Sequence, residues 1–133
     1  VYLMKAEALL RTGHADEAAQ LVTKVRERNF TEHPAKAIVT GEQLQETSCY
    51  DYGRRDNVKS THDHAIIQYG RMLDELGWEF SQEGRRRQDM VRFGVFSTRS
   101  WFSHDASSKE KNLYPIPNSQ ILTNPNLKQN PGY

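Results

Sequence analysis

The sequence predicts an all-α fold made of a helical hairpin, further helices and a long irregular C-terminal strap. First, apolar residues recur at three-to-four spacing over residues 1–12, 15–28, 65–84 and 85–93, which is the period of amphipathic helices. Second, no period persists from Val95 onward, and four of the five prolines lie in this segment. Because proline fixes φ and lacks an N–H donor, the segment should be extended and irregular.

Composition and charge limit the classes of protein to consider. The 133 residues suffice for one domain-sized segment with a modest core, and a formal net charge of +1 does not favour nucleic acid or an anionic membrane. Cys49 is the single cysteine, so an internal disulfide is excluded. Because the helical pattern is already present at Val1, we expect this chain to be the C-terminal part of a longer protein, with any targeting signal upstream.

The first two helices should form an antiparallel hairpin over residues 1–30, separated at Gly13. The buried stripes are predicted to be Tyr2, Ala6, Leu9 and Leu10 on the first helix and Ala15, Ala18, Ala19, Val22 and Val25 on the second. This hairpin resembles a tetratricopeptide unit, a helix pair that buries its faces by stacking on neighbouring units.

The middle of the chain is predicted to contain a short capped helix, a variable loop and two more helices. Thr40 should cap the short helix, with Gln43 three positions later completing a capping box. Residues 45–64 are polar and without periodicity, which indicates a long loop, and long loops are often functional. Residues 65–94 should be helical, as Ala65–Gly84, the longest helix, and Arg85–Phe93, which ends at Gly94.

The helix predicted over Ala65–Gly84 has two features that its packing must explain. Its buried stripe should comprise Ile66, Tyr69, Met72, Leu73, Leu76 and Phe80. Gly70 and Gly77 lower its intrinsic helix propensity, so close packing should require them.

Residues 95–133 form the predicted strap. Its prolines stiffen the chain before it docks, which reduces the entropy lost on ordering. Four aliphatic side chains should pin it to the helices: Leu113, Ile116, Ile121 and Leu127. Asparagine side chains should bond backbone groups that no regular structure satisfies, and Tyr133 should be the final anchor.

Three stretches together carry a resemblance to a known family: "LDELGWEFSQEGRRRQDMVRFGVF" (residues 73–96), "LYPIPNSQI" (113–121) and "NPNLKQNPGY" (124–133). In this order and spacing they resemble the C-terminal region of the SusD/RagB family, whose scaffold is built of tetratricopeptide-like helix pairs. The hairpin over residues 1–30 agrees with this, whereas residues 45–64 match least.

The resemblance implies a non-catalytic protein without a cofactor. Members of this family are surface lipoproteins of Bacteroidetes that bind nutrients, mostly glycans, at the cell outer membrane and pass them to a TonB-dependent, SusC-like transporter. The resemblance places the lipidated cysteine at the mature N-terminus, so Cys49 is not that residue. The alternative is a tetratricopeptide-type adaptor that binds a protein partner, but "NPNLKQNPGY" is foreign to such adaptors.

The ligand contacts predicted from the residues are aromatic side chains with polar neighbours, because a sugar ring packs its apolar face on an aromatic ring. Tyr50 and Tyr52, with Arg54 and Asn57, are the first candidates, and Trp101 is the second. The two tyrosines could equally hold the loop to its own domain or contact the transporter. Trp78 is predicted to belong to the scaffold. The ligand itself, whether starch, host glycan, plant fibre or peptide, stays open.

Three charged groups admit two interpretations each. The arginines in "EGRRRQD" (residues 83–89) could bind an anion, but ion pairs with Glu79, Glu83 and Asp89 and bonds to carbonyls of the strap are favoured. Glu75, Glu79 and Glu83 could suggest acid–base chemistry, but a solvated or arginine-paired helix face is favoured. The stretch His62–Asp63–His64 has too few ligands for a zinc site, so neither catalytic nor metal-ligating residues are predicted.

Overall fold

The computed structural model describes residues 1–49, 65–100 and 105–133. The helices in these ranges are α1 (Tyr2–Arg11), α2 (Ala15–Glu27), α3 (Gly41–Gln45), α4 (Gly70–Glu79), α5 (Arg86–Arg92) and α6 (Asn118–Thr123), with 3-10 helices at Pro34–Ala37 and Lys109–Asn112. The described ranges contain no strand, so the predicted all-α class is confirmed. The described residues divide into two compact units, residues 1–49 with 65–89 and residues 90–100 with 105–133.

In the first unit, α1 and α2 form the predicted hairpin. Gly13 adopts a φ of +89° between them, which suits a residue without a Cβ. The contact is built from small and branched side chains, and its buried members are Leu3, Ala6, Leu10, Ala18, Ala19 and Val22. The alanines of α2 bring the helix axes close together.

The predicted buried stripe of α1 was wrong at Tyr2 and Leu9. Tyr2 is 47% exposed, and the ammonium of Lys24 lies 5.2 Å from its ring centroid. Leu9 is only partly buried, and Leu3 lies in the core instead. Because Leu3 and Leu10 are seven residues apart, they share a face, while Tyr2 lies about 100° away around the helix. Ala6 and Leu10 of the predicted stripe are buried as predicted.

Helix α3 begins as predicted. The Thr40 hydroxyl accepts a hydrogen bond from the Gln43 N–H at 3.2 Å, and the Gln43 side chain accepts one from the Thr40 N–H at 3.0 Å. Leu44 of this helix is fully buried. The preceding connection is tied to α2, because the Thr23 hydroxyl accepts a hydrogen bond from the Val39 N–H at 3.0 Å.

Helix α4 is shorter than predicted, beginning at Gly70 rather than Ala65 and ending at Glu79 rather than Gly84. The Ile67 N–H donates to the Thr47 hydroxyl at 2.9 Å, and the Arg71 N–H donates to the Glu46 carbonyl at 3.2 Å. Glu46 and Thr47 therefore accept hydrogen bonds from two N–H groups that would bond within the helix if it began earlier. With ten residues, α4 is shorter than α2, which has thirteen.

The shorter helix also changes the predicted stripe. Met72, Leu73 and Leu76 are buried as predicted, but Ile66 is 81% exposed and Ile67 is buried in its place. Tyr69 has a φ of 56°, which interrupts the helical period just before Gly70. A period extended backward across Tyr69 therefore selects the wrong isoleucine.

Both glycines of α4 lie at close contacts, as predicted, with backbone at Gly70 and the end of a flexible side chain at Gly77. A Cβ on Gly70 would clash with the backbone N of Ser48 and lie 2.8 Å from the carbonyl carbon of Thr47. A Cβ on Gly77 would lie 2.7 Å from the Arg86 guanidinium, which donates to the Leu73 carbonyl at 2.8 Å.

Helix α5 follows Gly84 and ends before Gly94, both of which have a φ of +72°. The breaks at these two glycines are as predicted. After Gly94, the N–H groups of Val95 and Phe96 both donate to the Met90 carbonyl, at 2.9 and 3.1 Å.

In the second unit, the strap contains a helix that the sequence pattern did not predict. Helix α6 spans six residues and follows Pro117, whose φ is −55°. A helix of fewer than two turns is too short to show an apolar period, so the sequence pattern predicts coil here. Leu113, predicted to pin the strap, is largely exposed.

The end of the strap folds back on residues 113–116. The Tyr133 hydroxyl donates to the Leu113 carbonyl at 2.8 Å, and the Asn130 amide donates to the Tyr114 carbonyl at 2.7 Å. The Gln129 side chain accepts from the Ile116 N–H and donates to its carbonyl, both at 2.8 Å. Side-chain amides thus supply the bonds that a neighbouring strand would otherwise provide, as expected for asparagine-rich irregular chain. Docking of the strap on the other helices stays a prediction.

Candidate functional site

The ligand contacts predicted from the sequence fall where the structure gives no description. Tyr50, Tyr52, Arg54, Asn57 and Trp101 all lie outside residues 1–49, 65–100 and 105–133. Their role therefore stays a prediction. His62, Asp63 and His64 also lie outside these ranges, within which no group of three or more histidine, cysteine, aspartate or glutamate side chains could hold a metal ion.

The glutamate row on α4 is paired with arginines. Glu75 accepts from Arg26 Nη1 at 2.9 and 3.0 Å and from Arg71 Nη2 at 2.7 Å. Glu79 accepts from Arg28 Nη2 at 2.5 and 2.6 Å. Both carboxylates are engaged by arginine guanidinium groups, an arrangement typical of scaffold ion pairs.

The arginine cluster also serves the scaffold. Arg85 lies 3.8 Å from Asp89, as predicted, and its guanidinium lies 4.4 Å from the Phe80 ring centroid. Two details differ from the prediction. Glu79 pairs with Arg28 instead of this cluster, and Arg86 donates to the carbonyl of Leu73 in α4. The Arg28–Glu79 pair joins α2 to α4 across 51 residues of sequence, so the local charge pattern does not contain it.

A groove of about 210 Å³ opens between α2 and α4 in the first unit; we call it the α2–α4 groove. Its apolar lining consists of Leu3, Val22, Val25, Phe30 and Trp78, and its polar lining of Arg26, Asn29, Glu75 and Glu79. Trp78 is 43% exposed, although the sequence predicted it to belong to the scaffold.

Arginines hold the two aromatic rings of the groove. The Arg71 guanidinium lies 4.7 Å from the Trp78 ring centroid, and the Arg26 guanidinium lies 4.9 Å from that of Phe30. Because Glu75 binds both arginines, one buried carboxylate fixes the positions of both cations and hence of both rings.

One signal in the sequence could have indicated this groove. Trp78 follows Glu75 by three residues, so it lies on the polar face of α4 and beside the core stripe. A large aromatic side chain on a polar helix face suggests a binding surface more than a scaffold contact.

Two further observations on the described residues concern the apolar character of the helices and the free thiol. Within these ranges, no helix combines the length and the apolar character needed to cross a membrane. Cys49 is exposed, and Arg71 Nη1 lies 2.8 Å from its sulfur.

Comparison with known proteins identifies relatives of the chain. The SusD family matches residues 1–106 and 94–133. The "Starch-binding protein SusD" of Bacteroides thetaiotaomicron is 41% identical over 87 residues, a match that covers 59% of this chain. The match spans only 16% of that protein's length. Because the family match extends over both the helical region and the strap, the chain belongs to the SusD/RagB family, as its three C-terminal motifs predicted.

Proposed function

We propose that this protein binds a glycan at the outer surface of the cell and delivers it to a TonB-dependent outer-membrane transporter. The observation that carries the proposal is the 41% identity to a starch-binding protein, in a chain that belongs to the same family. The groove lining of aromatic rings with a few polar groups supports it, because this composition suits sugar rings.

We also propose that the protein acts without catalysis. Glycoside cleavage uses two carboxyl groups, one of which must carry a proton. Glu75 and Glu79 are instead paired with arginines, and the buried Asp74 accepts from the Ser48 hydroxyl at 2.6 Å and the Cys49 N–H at 2.8 Å. These carboxylates are occupied by structural bonds, which supports a binding role.

Tyr50, Tyr52, Arg54, Asn57 and Trp101 are the proposed glycan contacts outside the described residues. Alanine substitutions at Tyr50 and Tyr52 should each weaken glycan binding by the full-length protein. Unchanged affinity in both variants would remove the loop from the proposed site and leave the function to other residues.

The function is tested by purifying the tagged full-length protein gently from outer membranes of its source cells. We expect a TonB-dependent barrel to co-purify and the protein to be accessible to protease on intact cells. The purified protein should also bind at least one member of a panel of neutral oligosaccharides. Co-purification of soluble or inner-membrane proteins alone, without glycan binding, would overturn the proposal and favour the adaptor alternative.

A further inference from the structure

We propose that the α2–α4 groove is a subsite for one uncharged sugar ring of the glycan, with Trp78 as the stacking surface. This inference rests on the proposed function, and it assigns that function to a second place, in addition to the contacts expected in residues 50–57.

The dimensions of the groove fit a single ring. Its volume is about 210 Å³, below the about 300–1,000 Å³ of pockets that enclose larger ligands. A longer oligosaccharide would therefore place one ring in the groove and extend beyond it.

Trp78 provides a flat apolar surface in a fixed orientation. Its indole is 43% exposed and lines the groove, so a ligand can cover it. The Arg71 guanidinium lies 4.7 Å from the ring centroid and is itself held by Glu75 at 2.7 Å. A ring that is positioned before binding loses little conformational entropy when a sugar stacks on it.

The polar lining suits hydroxyl groups. A carboxylate offers about four acceptor positions, so Glu79 can accept from a sugar hydroxyl while it accepts from Arg28. The Asn29 amide both donates and accepts, as a hydroxyl does. Covering these groups with an apolar helix face would desolvate them without new hydrogen bonds, which is costly.

The charges of the groove favour a neutral ring over an anionic one. Arg26 and Arg71 are both paired with Glu75, at 2.9 and 2.7 Å, and Arg28 is paired with Glu79 at 2.5 Å, so each arginine already has a carboxylate partner. An acidic sugar would meet two carboxylates and arginines that are already engaged. An uncharged hexose or pentose meets no such repulsion.

The test uses the full-length protein and calorimetric titration with neutral malto-, xylo-, manno- and cello-oligosaccharides of six units. For the sugar that binds most tightly, Trp78→Ala should weaken binding about tenfold, and Trp78→Phe should retain most of the affinity. Tyr2→Ala is the matched control, because Tyr2 is similarly exposed at 47%, lies on the same unit and does not line the groove. It should leave affinity unchanged.

A second measurement tests the subsite in the wild-type protein, so it stays informative even if Trp78→Ala lowers stability. In full-length protein labelled with 5-fluorotryptophan, the Trp78 resonance, assigned with Trp78→Phe, should shift on addition of that sugar. No shift while the sugar binds elsewhere would overturn the subsite and leave the proposed function intact. The same holds if a soluble paramagnetic agent fails to reach the resonance, since another part of the protein would then fill the groove. No binding of any sugar to the wild-type protein would overturn both.

Discussion

Nη1 of Arg26 on α2 donates to both carboxylate oxygens of Glu75 on α4, at 2.9 and 3.0 Å. The other nitrogens of the same guanidinium donate to the carbonyls of Ala37 and Lys36, at 3.0 and 2.8 Å. One side chain thereby connects the hairpin, the connection after it and α4. Arg71 completes the group, because its Nη2 donates to Oε1 of the same carboxylate at 2.7 Å.

Removing the carboxylate of this group should be strongly destabilising. The Glu75 side chain is 5% exposed, and Glu75→Ala would leave Arg26 and Arg71 without their counterion in a largely buried site. We expect the free energy of unfolding to fall by about 3 kcal/mol. Urea unfolding of the full-length protein, followed by circular dichroism, measures this change.

The matched control is Glu17→Ala, which removes the carboxylate of an exposed pair with His14, 3.1 Å apart. The Glu17 side chain is 63% exposed, so its loss should cost less than about 1 kcal/mol. Equal effects of the two substitutions would show that burial of Glu75 contributes nothing to the stability of the unit.

The two glycines of α4 should respond differently to alanine, although both substitutions raise helix propensity by about 1 kcal/mol. At Gly70 the new Cβ meets the backbone of Ser48 and Thr47. This segment is held by the bonds from Ile67 to Thr47 and from Arg71 to Glu46, so Gly70→Ala should destabilise by about 2 kcal/mol. At Gly77 the new Cβ meets the end of a long side chain, Arg86, which can rotate away. Thermal unfolding measures the stability of both variants. A larger loss of stability for Gly77→Ala than for Gly70→Ala would contradict this account.

The parts of the fold that the sequence predicted are those set by local interactions. The Thr40–Gln43 box and the helix breaks at Gly13, Gly84 and Gly94 each depend on a few neighbouring residues. The start of α4 depends instead on Glu46 and Thr47, which are distant in sequence and accept hydrogen bonds from the N–H groups of Arg71 and Ile67. A helical period does not contain that information.

The candidate site divides in the same way. That Glu75 would be paired with arginine could be predicted, but its partner Arg26 is 49 residues away and becomes a neighbour only in the folded unit, where α2 and α4 both pack against α3. The groove at Trp78 is lined by residues that are far apart in sequence, and Trp78, predicted to belong to the scaffold, is 43% exposed there. Tertiary neighbours, which spacing along the chain does not specify, decide both outcomes.

The capping box of α3 should be worth a measurable share of the stability. Thr40→Ala removes the acceptor for the Gln43 N–H and should cost about 1 kcal/mol. The control is Thr12→Ala, because the Thr12 hydroxyl donates only to the Ala8 and Leu9 carbonyls at an exposed helix end, where water can replace it. Chemical denaturation measures the free energy of unfolding of the two variants. Thr40→Ser, which keeps the hydroxyl, should retain most of the stability that Thr40→Ala loses. A failure of serine to do so would argue against the hydroxyl bond as the cause.

The fold-back of the strap should be visible at one backbone amide. In Gln129→Ala the Ile116 N–H loses the acceptor that lies 2.8 Å away, and the Ile116 carbonyl loses its donor at the same distance. Because a hydrogen bond of this kind contributes about 1 kcal/mol, hydrogen exchange at the Ile116 amide should become about five times faster. Gln120→Ala on the exposed side of α6 is the control and should leave this rate unchanged. If the rate at Ile116 stays the same in Gln129→Ala, the amide of Gln129 does not hold residues 113–116 in solution, and Asn130 and Tyr133 would have to hold them instead.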